Sequence, residues 1–348
     1  MKSSLIKKAA IGSIIYSIAA TGIILYLSAG KVVTISDVAQ DEVQKTETAG
    51  EGKSDMHLLT FAIGESNTSY LRIPLPKECK AEDIVIENHY MDQELCVLIA
   101  NHDENFYEEN VISGNWEMVE QGNYEAGEDG IKLSFQLSGI FEYRTILENN
   151  DLYISFLSPR EMYDRIIVID PACGGLNTGY EAGWLMEKNI NLQITKMLKE
   201  KLDETDIKAY YTRIDDVNPE EEDRVRLANE TKADMYIRIQ VNSDEDSSVY
   251  GLLSVYNGNY FIPGFGSVEL ADTLEREVAT SVKGRALGLS EAEAQDYALR
   301  HITIPAAAIK VGCITNEQEA KLLGREEYCD RIATGIYNAI MSVYEDDL

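Results

Sequence analysis

The sequence predicts an α/β domain from about Asp164 onward, preceded by a small β-rich stretch and an N-terminal membrane helix. Three observations carry this. Ile166 to Ile169 is a β-branched apolar run that suits a strand buried on both faces. From Asp164 the apolar pattern alternates between strand and helix periods, the mark of a sheet covered by helices. Ala9 to Ala29 carry no charge and are long enough to cross a bilayer as a helix.

Lys2, Lys7 and Lys8 precede the apolar run, so the positive-inside bias keeps residues 1–8 in the cytoplasm and the bulk of the chain outside it. A single-pass anchor over residues 9–29 is the expectation. Its rival is a cleaved signal peptide with Ser28, Ala29 and Gly30 at the cut. Residues 30–56 are polar, rich in Gln, Glu, Thr and Gly, and read as a linker.

Residues 57–160 read as β. Apolar runs recur at Leu58–Ile63, Tyr70–Leu75, Ile84–His89, Leu95–Ala100, Ile131–Leu137 and Leu152–Leu157. Turn-forming residues separate them, as at Gly122-Asn123, Gly127–Gly130 and Asn149–Asp151. Such spacing suggests a small sandwich. His89 and His102 stand alone and suggest no catalytic group.

In the α/β part, Asp170-Pro171 ends the first strand and Gly174-Gly175 turns the chain. A helix follows over Glu187 to Leu202, with Ile190, Ile194, Met197, Leu198 and Leu202 on one face. Strands are expected at Ala209–Thr212, Met235–Val241, Leu252–Tyr256 and Ala306–Val311. Between them lie a helix over Pro219–Thr231 and one capped by Ser267, with a stripe of Leu270, Leu274, Val278 and Val282. Asn316 caps a short helix, with Glu319 reaching back and Gly324 ending it, and a last helix runs from Glu327 to about Tyr344.

Composition limits the function. The 348 residues suffice for roughly two domains. The net charge is -29, from 60 Asp and Glu against 31 Lys and Arg. Nucleic acid is thereby a poor partner, because phosphate neutralisation needs clustered cations. The five cysteines form no C-x-x-C pair, and free buried thiols or a Cys79–Cys96 bridge both remain open.

Spaced motifs now combine. The run Ile167 to Gly175 stands where a strand is followed by D-P-G-H-G-G. Glu187-Lys188 matches E-K; Thr212, Arg213 and Asp215 match T-R-x-D; Arg224 to Asn229 match R-x-x-x-A-N. Ile237 to Asn242 sit at S-I-H-x-N, and Ile304 to Asn316 at P-x-x-L-V-E-x-G-F-x-x-N. In this order the motifs resemble those of the zinc-dependent N-acetylmuramoyl-L-alanine amidases, over roughly half the chain. The resemblance implies a mixed sheet flanked by helices over residues 164–345 and, for residues 57–160, a wall-binding role. It also implies a zinc held by His, Glu and His, with a second Glu as general base for hydrolysis of the lactyl–alanine amide of peptidoglycan.

Three of those four positions differ here. The ligand positions are Cys173, Glu187 and Gln240, and Lys310 stands at the general base. Cysteine can bind zinc as a thiolate, but an amide oxygen is a poor donor and an ammonium has no lone pair to take a proton. Asp170, Arg213, Arg224, Asn229, Asn242 and Asn316 are expected to shape the groove and scaffold. His301 braces the last strand in this reading. Cys313 near Cys173 is the lesser possibility of a rebuilt site, and Cys173 with a His301 base that of a thiol hydrolase.

The expectation is a membrane-anchored, extracytoplasmic pseudo-amidase at peptidoglycan, without a cofactor. Its partners would be peptidoglycan or an envelope protein such as an active amidase. The alternative is a working amidase with an atypical Zn²⁺ site. Retention of Glu187 suggests an ion pair with Lys310 in place of the metal, with Gln240 adding a neutral hydrogen bond.

Overall fold

The computed structural model describes residues 34–37, 57–59, 61–63, 69–100, 105–127 and 130–346. The expected anchor at 9–29, most of the linker and His102 lie outside the described residues. Among the described residues no helix is long and apolar enough to cross a membrane.

Residues 57–157 build two facing sheets, joined at one edge by Thr34–Asp37. One sheet runs Thr34–Asp37, Ile84–His89, Glu94–Ala100, Gly130–Leu137, Val119–Gly127 and His57–Leu58; the other runs Glu142–Glu148, Asp151–Leu157, Leu71–Pro74, Ile112–Gly114 and Phe61–Ile63. Alternation explains the packing. Ile84 and Ile86 point inward with Leu95, Val97 and Phe135, against Leu71, Ile73, Leu152 and Ile154 of the second sheet.

The sequence reading fails at Gly122-Asn123, which lies inside the strand Val119–Gly127 and is no turn. Gly122 is there for room: a Cβ would meet the Phe61 ring at 2.6 Å. Cys79 and Cys96 do not bridge, and all five cysteines are free thiols.

The second unit is a six-stranded mixed sheet. Its strands are β1 (Ile166–Pro171), β2 (Lys208–Tyr211), β3 (Met235–Asn242), β4 (Leu252–Tyr256), β5 (Ala286–Glu291) and β6 (Ala306–Cys313), in the spatial order β2-β1-β3-β6-β4-β5. The first four in that order are parallel; β4 runs antiparallel to β6, and β5 follows β4. Every residue of β1 is buried, as a central strand covered on both faces requires.

Helices α1 (Glu187–Leu202), α2 (Glu221–Glu230), α3 (Ser267–Val282), α4 (Tyr297–His301), α5 (Glu317–Leu323) and α6 (Glu326–Asp346) complete the unit. The stripe on α3 is buried, as are Ile190, Ile194, Leu198 and Leu202 of α1, while Met197 is half-buried at the edge of its stripe. α6 packs against α3 at Gly335, where a Cβ would stand 2.6 Å from the Val278 Cα.

Two residues at the helix starts, Ser267 and Glu319, act differently from expectation. Ser267 is the first helical residue, with Gly266 before it, and its hydroxyl accepts the Ala306 N–H of β6 at 3.1 Å. Asn316 does cap α5, accepting from the amides of Gln318 and Glu319 at 3.1 Å each. Glu319 does not reach back; it accepts the N–H groups of Cys313 at 2.7 Å and Gly251 at 3.0 Å, tying β6 to the start of β4. Strand β5 was not foreseen.

The two units are fastened at edge strand β2. Tyr90, Met91 and Ile140 join the larger core. The Tyr90 hydroxyl donates to the Tyr211 carbonyl at 3.0 Å and accepts its N–H at 3.1 Å. Buried Glu142 takes the Tyr210 hydroxyl and the Lys208 ammonium, the latter at 3.1 Å.

Candidate functional site

The chain leaves β1 through a tight loop at the carboxyl ends of the parallel strands, where open α/β sheets place their sites. Cys173, Gly174 and Gly175 have φ of 65°, 142° and 52°. Only glycine adopts such angles freely, so Cys173 is held by its surroundings. Arg213, fully buried, supplies that hold by donating to the carbonyls of Pro171, Ala172, Asp215 and Lys188 at 2.9–3.1 Å. Lys188 adds bonds to the Gly175 carbonyl at 2.8 Å and to Asp216 at 2.6 Å, and Asp216 accepts the Gly175 N–H.

Behind the loop lies a buried charge network. Asp170 is fully buried and receives the Arg224 guanidinium, the Tyr236 hydroxyl and Thr212 Oγ1, the last at 2.6 Å. Burial would raise its pKa, but the charges of Arg224 and Arg238 outweigh this and hold it at about 2. Arg224 also reaches Pro219 and Asn218. Arg238, which sequence reasoning did not single out, meets Glu221 through two 2.8 Å bonds and lies 3.4 Å from Asp170. An arginine inside the apolar run of β3, with an acidic first turn on α2 before it, was the available signal.

Cys173, Glu187, Gln240 and Lys310 all line one cleft of about 580 Å³, together with Gly179, Tyr180 and Arg238. Glu187 opens α1 and is buried. Its Oε1 accepts the Val241 N–H at 2.9 Å and Asn191 Nδ2 at 3.5 Å, and its Oε2 accepts the Tyr180 N–H at 3.1 Å. Gly179 (φ 67°) lets the loop close here, since a Cβ would meet Glu187 Oε2 at 2.5 Å and Cys173 Sγ at 2.8 Å. Burial, reinforced by the Glu187 charge, pushes the Cys173 thiol up to about 11.

Gln240 and Lys310 are register partners on the parallel strands β3 and β6. Among the described residues the Lys310 ammonium makes no hydrogen bond or ion pair, so it does not bond to Glu187. The ion pair expected between them is absent; the carboxylate accepts instead from the Val241 and Tyr180 amides and Asn191 Nδ2.

The remaining candidates are structural. Asn229 accepts from the Thr303 amide and hydroxyl at 2.9 and 3.1 Å and donates to the His301 carbonyl. The Asn242 carbonyl takes the Ile314 N–H at 2.8 Å. Asn316, besides capping α5, donates to the Ser247 carbonyl. His301 is exposed and stacks on Tyr297 at 4.1 Å, away from the cleft lining. Cys313 is buried against Thr315.

Zinc hydrolysis needs three donors and one open position. The cleft offers a single thiol, a carboxylate already accepting hydrogen bonds through both oxygens, a neutral amide and an ammonium, with no imidazole among them. Among the described residues no three His, Cys, Asp or Glu side chains group so as to hold a metal ion. The residues present do not fit that metal.

Residues 167–342 match the family model described as N-acetylmuramoyl-L-alanine amidase. The germination-specific N-acetylmuramoyl-L-alanine amidase of Bacillus subtilis is 30% identical over 233 residues, covering 62% of this chain and 94% of the relative. The N-acetylmuramoyl-L-alanine amidase LytC of the same organism is 28% identical over 178 residues, 51% of this chain and 35% of the relative. Among solved structures, the N-acetylmuramoyl-L-alanine amidase from Clostridium difficile 630 is 31% identical, with a TM-score of 0.49 over 53% of this chain and 98% of that one. The match spans half of the sequence and the whole strand–loop–helix frame around the cleft, and this chain belongs to the N-acetylmuramoyl-L-alanine amidase family.

Proposed function

We propose that this protein is a pseudo-amidase: an envelope protein that binds peptidoglycan in the family's cleft without hydrolysing it. The observation that carries the reading is Lys310. It lines the cleft beside Gln240 where the family motif has its acidic base, and an ammonium cannot take a proton from water. Cys173 and Gln240 weaken the metal site further. Membrane anchoring through residues 9–29, an extracytoplasmic location and a wall-binding role for residues 57–160 belong to the same proposal. So does an envelope partner such as an active amidase.

A second reading, an amidase with an atypical zinc site, has one point in its favour. Cys173 Sγ and Glu187 Oε2 both crowd Gly179, so two donor types used for zinc stand side by side. Co-sedimentation with purified peptidoglycan, alongside the zinc content of the isolated protein, separates the two. Binding with negligible zinc supports the first reading. Near-stoichiometric zinc with release of stem peptide establishes the second.

A further inference from the structure

We propose that the cleft selects a free carboxylate of a peptidoglycan fragment over the corresponding amide, and that Lys310 with Gln240 forms the recognition pair. The inference rests on the binding role proposed above and specifies its ligand. An amidase converts an amide into a carboxylate and an amine. A site with an acidic base tolerates the neutral amide; a site with a lysine in that place favours the anion.

Gln240 and Lys310 are opposed on neighbouring parallel strands, which lie about 4.8 Å apart. Both side chains enter the cleft, and among the described residues neither has a hydrogen-bond partner. Together they present an ammonium with three donors and an amide with two, aimed into a space large enough for a sugar or a short peptide. A carboxylate has two acceptor oxygens and a charge to match; an amide has one acceptor and none. Charge-assisted bonds of this kind are about twice as strong as neutral ones.

Of the two cations lining the cleft, Arg238 is paired with Glu221. Among its carboxylates, Glu187 is held by the amides of Tyr180 and Val241, Glu293 accepts from Gln295 at 2.6 Å and Asp296 accepts the Glu293 N–H at 2.8 Å, and Glu291 lines the same wall. Lys310 is therefore the cation available to a ligand.

Two peptidoglycan groups share this chemistry: the lactyl acid of muramic acid once its peptide is gone, and the terminal carboxylate of a stem peptide. Calorimetric titration of the full chain tests both. The probes are a muramic-acid disaccharide with a free lactyl carboxylate, its lactyl amide, a stem peptide and that peptide's terminal amide. One acid should bind at least tenfold tighter than its amide, and which one identifies the source. The preference should vanish in Lys310→Met and persist in Lys310→Arg, with unchanged melting curves for both. Equal binding of acid and amide in each pair, no binding of any probe, or a preference that survives Lys310→Met overturns the proposal. If intact peptidoglycan still binds in those cases, only this inference falls and the binding role stands.

Discussion

Gln240 and Lys310 are paired across β3 and β6, and both side chains enter the cleft between Cys173 and the β4 strand. This pairing sets the chemistry of the site. Parallel pairing delivers the two groups to the same level of the sheet, toward the carboxyl ends of its parallel strands, where open α/β sheets place their sites. The pair presents an amide and an ammonium to the cleft.

Because Lys310 has no partner among the described residues, it contributes little to folding. Lys310→Ala should change the unfolding free energy by no more than about 0.5 kcal/mol. Urea denaturation of the two proteins checks this. A loss of several kcal/mol would mean that the ammonium is paired in solution.

Glu187 is the opposite case. Its carboxylate satisfies the amides of Val241 and Tyr180 inside the protein. Glu187→Ala strands those N–H groups and should cost about 1–3 kcal/mol. Glu187→Gln, which keeps an acceptor oxygen, should cost less. Equal losses for both variants would point to the charge, not the hydrogen bonds.

Asp170 makes stability depend on acid. Its folded pKa of about 2 lies below the ordinary carboxylate value. The stabilisation is therefore present above the unfolded pKa and lost as pH falls through that value toward 2. Asp170→Asn leaves the fully buried Arg224 without its buried counter-charge, Arg238 keeping its pair with Glu221, and should cost about 3–5 kcal/mol. Its stability should also fall less steeply than that of the parent between pH 4 and pH 2, at about the span set by the two pKa values. Parallel acid profiles under denaturant would contradict the assignment.

Much of this frame was legible in the sequence. The ends of α1 and β4 and the strand Ile84–His89 follow directly from apolar periodicity. The convergence of Cys173, Glu187, Gln240 and Lys310 followed from motif order. What escaped depends on tertiary contact. Gly122 reads as a turn until Phe61 is seen lying over it. The strand Ala286–Glu291 is interrupted by Gly288 at φ 101° and is largely exposed, so its apolar pattern is faint. Glu319 fits a capping box locally, yet it serves Cys313 and Gly251. The expected Glu187–Lys310 pair is likewise absent, and the carboxylate accepts from the Tyr180 amide seven residues before it and from the Val241 amide on β3, which motif order does not disclose.

Gly335 tests the packing of the frame. Alanine is favoured over glycine inside a helix by about 1 kcal/mol. Here its Cβ would stand 2.6 Å from the Val278 Cα, a backbone atom that cannot swing away. Overpacking of this sort costs about 1–3 kcal/mol, so Gly335→Ala should be net destabilising in thermal melts. A raised melting temperature would show that α3 and α6 sit farther apart than described.

The most direct test of the central claim is release of stem peptide from purified peptidoglycan in the presence of added zinc. Wild-type protein should be compared with the combined variant Cys173→His, Gln240→His and Lys310→Glu, which restores the family's donors and base. The account predicts no release by the wild type above a protein-free control, and zinc binding with measurable release by the variant. Release by the wild type, carried by near-stoichiometric zinc, would contradict it.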